Sequence, residues 1–287
     1  MPWIGYLDSI RTCRHADLTA FVPWHVGSEP VGLVHRQRVP LLLRPASPFR
    51  LVADRLTLAG DDFVARTDAL AALIASLVAV GELRAPLGEM YPVFGGVAST
   101  PQLQLDRVAV TWFGVRAFGV HLNGYARSRD GPSLWIAVRS RQKRTFPGHL
   151  DNVVAGGQPI GLLPLQTLVK ECDEEAGVGA ELATQAVPTG TIAYVQQDGL
   201  SLKDDTLACF DLELPATFVP RPVDGEVEAF MLWPVAEVAA SLRGNDLWKP
   251  NSAMVTLDFI LRHGCLDREL AAAERWRLWQ ALHGAIP

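Results

Sequence analysis

Apolar positions recur at helical spacing twice in the first eighty residues, over residues 7–19 and 67–80, and residues 31–43 and 49–58 between them read as extended segments. Proline and glycine crowd residues 85–101, which marks a linker or an irregular crossing. Beyond it, period-two or continuous apolar runs over residues 108–113, 117–125, 133–138 and 152–155 predict strands. Further strands are expected at 190–196, 206–214 and 227–233, with a helix at 235–242 and two more over 251–283, the last carrying Trp276 and Trp279. Strands on both sides of one central amphipathic helix imply an α+β sandwich whose sheet is covered by helices. The chain therefore divides into a small α+β N-terminal domain, residues 1–100, and a larger domain, residues 101–287. No internal repeat or low-complexity segment interrupts this order.

The central helix carries the most specific pattern. Within residues 155–178, AGGQPIGLLPLQTLVKECDEEAGV, Leu165, Leu168, Val169, Cys172 and Ala176 follow the helical period, and Glu171, Glu174 and Glu175 stack on the other side. Pro164 suits a first turn and Gly177 a left-handed stop. Like charges one turn apart repel by a few tenths of a kcal/mol each, so the stripe makes most physical sense with a hard divalent cation among the carboxylates. The plainer alternative is a solvated acidic face. On this reading the glutamates face away from the core, and Lys170 points away from the neighbouring Glu171 carboxylate.

Gly156 and Gly157 before the helix, Gly161 in the turn and Glu-Ala-Gly-Val at its end give the segment a fixed frame. That frame resembles the Nudix box: Gly, five residues, Glu, seven residues, Arg-Glu-aliphatic-any-Glu-Glu-any-Gly-aliphatic. Gly156, Glu171, Glu174, Glu175, Gly177 and Val178 fall on matching positions, whereas Leu162 stands where the family has glutamate and Lys170 where it has arginine. In the family those two side chains can pair across the loop, so the departures look like one coordinated change. The resemblance extends through FGVHLNGYARS, TFPGHLDNVVAGGQPIGL, DGEVEAFMLW and KPNSAMVTLDFILRHG to a subgroup of fungal and plant hydrolases of thiamine diphosphate and its oxidised analogues, which carry an extra N-terminal domain. It implies a Nudix-type α/β/α sandwich with a mixed sheet. It also implies magnesium, with manganese as an alternative ion, held by the Gly156 carbonyl and the Glu171, Glu174 and Glu175 carboxylates.

Diphosphates resist hydrolysis because their oxygens repel a nucleophile, so a site must neutralise that charge and position water. One of the box glutamates, or an acid from the later DGEVE loop, would take the water's proton. Asp224, Glu226 and Glu228 are the loop's acids, and Glu226 is the choice. Arg139, Lys143 and Gly157 are the candidate substrate contacts, since the basic run Arg139, Arg141, Lys143, Arg144 directly precedes the glycine loop. Trp24, Trp112 and Trp248 are candidates for stacking on an aromatic ring, and the histidines lack paired, metal-type spacing.

Composition narrows the partners. A net charge of -5 without a basic block argues against nucleic acid or an anionic membrane surface. The apolar stretch at 69–80 is too short to span a bilayer. Cys13, Cys172, Cys209 and Cys265 are far apart and lack metal-type spacing, which suits reduced thiols in a cytoplasmic protein. The expected activity is hydrolysis of a diphosphate linkage in a small molecule, giving a monophosphate, with thiamine diphosphate or its oxidised analogues as substrate. The alternatives are a broad ADP-ribose or dinucleotide pyrophosphatase and a Nudix-like module that binds a diphosphate without cleaving it.

Overall fold

The computed structural model describes residues 3–53, 55–96, 100–129, 131–244 and 246–284. The N-terminal part runs α1 (Leu7–Cys13), β1 (Phe21–Val26), β2 (Glu29–His35), α2 (Val39–Leu42), β3 (Phe49–Val52), β4 (Arg55–Leu58), α3 (Phe63–Ala79), β5 (Met90–Val93), β6 (Leu103–Asp106) and α4 (Val110–Phe113). There follow β7 (Arg116–Ser128), β8 (Gly131–Arg139), β9 (Leu150–Asn152), β10 (Val154–Gly157), α5 (Pro164–Ala176), α6 (Ala180–Ala183), β11 (Val187–Asp198), β12 (Ser201–Glu213), β13 (Val227–Pro234), α7 (Val235–Ser241), α8 (Pro250–Arg262) and α9 (Ala272–His283).

The large sheet has the order β11-β12-β7-β8-β13, with β10 on β7 and β9 on β8. It is mixed, because β12 runs parallel to β7 while the other pairs are antiparallel. Alternation along the strands fills two cores. Leu134 and Ile136 of β8 and Leu207 and Cys209 of β12 pack with α1, α7, α8 and α9 on one face. Trp135, Phe210 and Leu212 meet Leu168, Cys172 and Ala176 of α5 on the other. The result is the expected α+β sandwich. No helix among the described residues is long and apolar enough to cross a membrane.

A third core joins the four-stranded sheet β2-β1-β4-β3 to α3, the β5–β6 hairpin and residues as far as Ala117. Four sequence expectations change here, the first at 31–43, where β2 ends at His35, whose ring accepts the Gln37 N–H and starts a turn that leads into α2. The crossing at 85–101 contains β5, which pairs antiparallel with β6, so Tyr91 and Val93 are core residues; positions 97–99 of that segment lie outside the described residues. The extended segment at 49–58 is a hairpin of two strands, with Asp54 outside the described residues. The strand expected at 108–113 is a short helix. Its apolar alternation is real, but the Asp106 carboxylate accepts the Val108 N–H at 2.9 Å and starts a turn, after which Val110, Trp112 and Phe113 all enter the N-terminal core. Trp24 and Trp112 are buried there and Trp248 is buried against Ser241, so none of the three stacking candidates reaches the cavity described next.

Candidate active site

The acidic helix α5 begins at Pro164, with the Gln166 side chain reaching back to the Leu163 N–H at 2.9 Å, and stops at Gly177, whose φ of 63° is left-handed. Burial of Leu168, Cys172 and Ala176 against Val153, Val154 and Phe210 fixes its rotation. Glu171 is thereby pressed onto β10. A Cβ added to Gly156 would lie 2.3 Å from Glu171 Cδ, so only glycine lets the carboxylate sit against that strand.

Glu175 differs from expectation. It lies on the buried flank of the helix, 6% exposed, and its Oε2 accepts the Ala155 N–H at 3.0 Å. Positions 171 and 175 sit one turn apart on the edge of the apolar stripe, so packing the stripe against the sheet draws both acids inward. Lys170 also departs from expectation: its ammonium bridges Glu171, at 3.2 Å, and Glu174. The flexible four-carbon stem carries the charge round the helix to both acids.

The electrostatics leave the site short of positive charge. Burial pushes the Glu171 carboxyl above the ordinary glutamate range; Lys170 opposes the shift, while Glu174 and Glu89 add to it. Burial raises Glu175 well above that range as well, reinforced by Asp151, Glu171 and Glu226 and opposed by the Ala155 N–H. Among the described residues no three acidic, histidine or cysteine side chains already converge into a ready-made metal cage; Lys170 takes the place between Glu171 and Glu174. The donor set nonetheless suits a hard divalent cation, because it consists of carboxylate oxygens gathered on one cavity wall, the kind of ligand such an ion prefers.

These acids border a cavity of about 410 Å³. Gly156, Gly157, Glu171, Glu174 and Glu175 form one wall, and Gly119, His121 and Leu207 of the sheet lie beneath. Glu226 sits on the rim, ion-paired with Lys143, as an exposed side chain whose backbone N–H is held by Asp224 at 2.8 Å. Arg139 lines the cavity with a largely committed guanidinium: Nη1 donates to Asp151 at 2.7 Å, Nε to the Phe146 carbonyl and Nη2 to the Thr145 carbonyl.

Sequence reasoning missed the buried charge cluster behind the cavity. Asp151 also takes Lys249 at 3.1 Å, the Ser252 hydroxyl and the Asn152 N–H at 2.9 Å. Burial alone would raise its carboxyl, but Lys249 and Arg139 outweigh that and hold it well below the ordinary range. Lys249 is drawn down by burial and by Arg139 while Asp151 pulls the other way. His121, buried and hydrogen-bonded to Asn152 at 2.7 Å, is pushed down to about 4 by burial and is neutral at pH 7. The signal lay in the HLDN and KPNS segments, whose polar residues break otherwise apolar surroundings.

The comparisons with known proteins bear on this arrangement. Two Arabidopsis thaliana proteins, "Nudix hydrolase 20, chloroplastic" and "Nudix hydrolase 24, chloroplastic", are 37% and 36% identical to this chain, each over 92% of it and 74% of their own lengths. The chain belongs to the Nudix hydrolases. Diphosphate hydrolysis is that family's activity, generally with a divalent metal, and the Nudix box maps onto β10, the turn and α5. A family described as a domain of unknown function (DUF4743) matches residues 5–117, ahead of the box. Among solved structures, a MutT protein from Methanosarcina mazei aligns over 54% of this Nudix chain and 94% of its own, at 16% identity and a TM-score of 0.38.

Proposed function

We propose that this Nudix hydrolase cleaves the diphosphate of thiamine diphosphate or of its oxidised analogues, with magnesium as the working ion, and releases a monophosphate. The observation that carries the reading is Glu171 seated on Gly156, with Glu174 and Glu175 beside it on the wall of one cavity. The Gly156 carbonyl and the three carboxylates would hold the ion, which when bound neutralises phosphate charge and lowers the pKa of water. The chain does the rest. Ala155 N–H fixes one Glu175 oxygen, Lys170 holds Glu171 and Glu174 together, and Lys143 on the rim offers its ammonium to phosphate oxygens. Glu226, on the rim of the same cavity, takes the proton of the attacking water. Arg139 works through Asp151 and the Thr145 and Phe146 carbonyls, holding the loop that carries Lys143.

Size supports a compact substrate. About 410 Å³ is at the lower end of the roughly 300–1,000 Å³ of small-molecule sites, which favours one organic group with a diphosphate over two nucleosides. The choice of thiamine rests on the resemblance of the flanking segments. A chromatographic product screen of thiamine diphosphates, ADP-ribose and dinucleotides, which detects released inorganic phosphate and released phosphomonoesters alike, tests it. Magnesium-dependent turnover highest on the thiamine diphosphates is expected, and chelation or Glu171→Gln should abolish it. Turnover of ADP-ribose or dinucleotides alone would replace the substrate assignment with a broad pyrophosphatase, and no turnover at all would sink the reading.

A further inference from the structure

The cavity is not closed by the Nudix elements alone. Glu89, Tyr91, Arg107, Val110 and Thr111 also line it, all within the residues 5–117 matched by the domain of unknown function. The contact is intimate: a Cβ added to Gly157 would lie 1.6 Å from the Tyr91 hydroxyl oxygen, so the β5–β6 hairpin sits directly on the second glycine of the box. The loop that presents Arg107 is anchored by Asp106, whose carboxylate accepts the N–H groups of Leu87, Gly88 and Val108, and by the Arg107 N–H bonded to the Glu89 carbonyl at 2.8 Å.

We propose that the segment matched by the N-terminal family, residues 5–117, completes the substrate site, and that Arg107 is its contact with the substrate, gripping non-bridging oxygens of the diphosphate. Arg107 Nη1 is held by Glu89 at 2.8 Å, which aims the guanidinium and leaves further N–H donors for a ligand. The side chain is half exposed and is one of the residues that line the cavity. Tyr91, Glu89 and Glu226 all lie within electrostatic reach of it. Arg107 thus shares one cavity with the acidic helix and lies within reach of Glu226 on its rim, where a bound diphosphate carries the excess negative charge. Lys143 and Lys170 are already paired with Glu226 and with Glu171 and Glu174. Arg107, paired through one nitrogen with Glu89, adds to them a planar, multi-donor cation from outside the box. The matched N-terminal family acquires a role on this basis: it supplies, in the same chain, a wall and a phosphate clamp for the Nudix site.

The inference rests on the diphosphatase reading, and the test separates the two. Binding of methylenediphosphonate, a non-hydrolysable diphosphate, is measured by calorimetry with magnesium for wild type, Arg107→Gln and Arg107→Lys, alongside melting temperatures and kcat and KM on the substrate that the screen selects. The expected result is a roughly ten- to hundredfold weaker Kd and higher KM for Arg107→Gln at unchanged melting temperature and little-changed kcat, with partial recovery in Arg107→Lys. A purely structural role would lower the melting temperature and leave Kd alone. Wild-type binding matched within twofold by Arg107→Gln overturns the clamp while leaving the diphosphatase reading in place. Wild type that neither binds the probe nor turns over any diphosphate overturns both. Because a hairpin substitution could disturb folding, the Arg107→Gln effect on Kd is also measured in a Tyr91→Phe background, which keeps the ring's packing: an undiminished effect in a folded protein supports contact by the arginine itself, and an effect that vanishes there assigns the loss to the hairpin's shape and overturns the clamp.

Discussion

Replacing Asp151 by asparagine should be among the most destabilising single changes in the chain. Its carboxylate is buried and neutralises two buried cations, Arg139 at 2.7 Å and Lys249 at 3.1 Å, while also accepting the Ser252 hydroxyl. A neutral amide at that position would leave both cations without an anion, and breaking a buried pair from one side typically costs about 3–5 kcal/mol. At roughly 2.1 cal/mol/K per residue, 287 residues give an unfolding entropy near 0.6 kcal/mol/K, so Tm should fall by about 5–8 °C if the chain unfolds as one unit. Lys249→Met should be far milder, because it leaves Asp151 balanced by Arg139. The pH dependence has a fixed sign. The folded carboxyl titrates below its unfolded value of about 3.9, so its stabilisation is complete above that value and is lost as pH falls through the folded one. The gap between wild type and Asp151→Asn should therefore be constant from neutral pH to about 5 and narrow in stronger acid. Urea or thermal unfolding of the three proteins from pH 7 to 3 decides the matter. A Tm loss under about 1 °C, or a Lys249→Met variant as unstable as Asp151→Asn, would refute the charge accounting.

Three further outcomes are expected. Glu175→Gln should stabilise the metal-free chain by about 2 °C in Tm at neutral pH while reducing turnover at least a hundredfold: a carboxyl raised in the fold loses stability as pH rises from the glutamate range through its folded value, and the amide does not, so calorimetry with a chelator should show a gain that grows with pH. Gly156→Ala should cut kcat/KM by roughly a hundredfold, since its Cβ displaces Glu171, and an unchanged rate would show that Glu171 need not rest on β10. Cys172→Ser should cost about 1–3 kcal/mol in unfolding free energy with kcat unaffected, because residue 172 is fully buried against Val153 and Val154; lost activity at unchanged stability would contradict that placement.

What the sequence disclosed and what it withheld divide along one physical line. The acidic helix was legible because its determinants are consecutive: Pro164, the stripe Leu168–Cys172–Ala176 and the Gly177 stop all act within a turn or two. The strands flanking it were legible from alternation, which each strand expresses alone. Ambiguity began where a local pattern fits two structures. Residues 108–113 alternate like a strand, and only the Asp106 cap, which also gathers the N–H groups of Leu87 and Gly88, turns them into a helix. Charge partners were harder still. Arg139 reads as a phosphate contact from its place in a basic run, but its partner Asp151 arrives by the pairing of β8 with β9, and Lys249, nearly a hundred residues further on, by the packing of α8. Lys170 shows the same limit at the shortest range. Helical geometry sets where Cα–Cβ points, whereas the ammonium at the end of a flexible stem goes to the strongest negative potential within reach, between Glu171 and Glu174. Where a backbone lies can thus be read from neighbouring residues, but where a long charged side chain ends depends on the field of the whole fold, and the chemistry of this site is carried by such side chains.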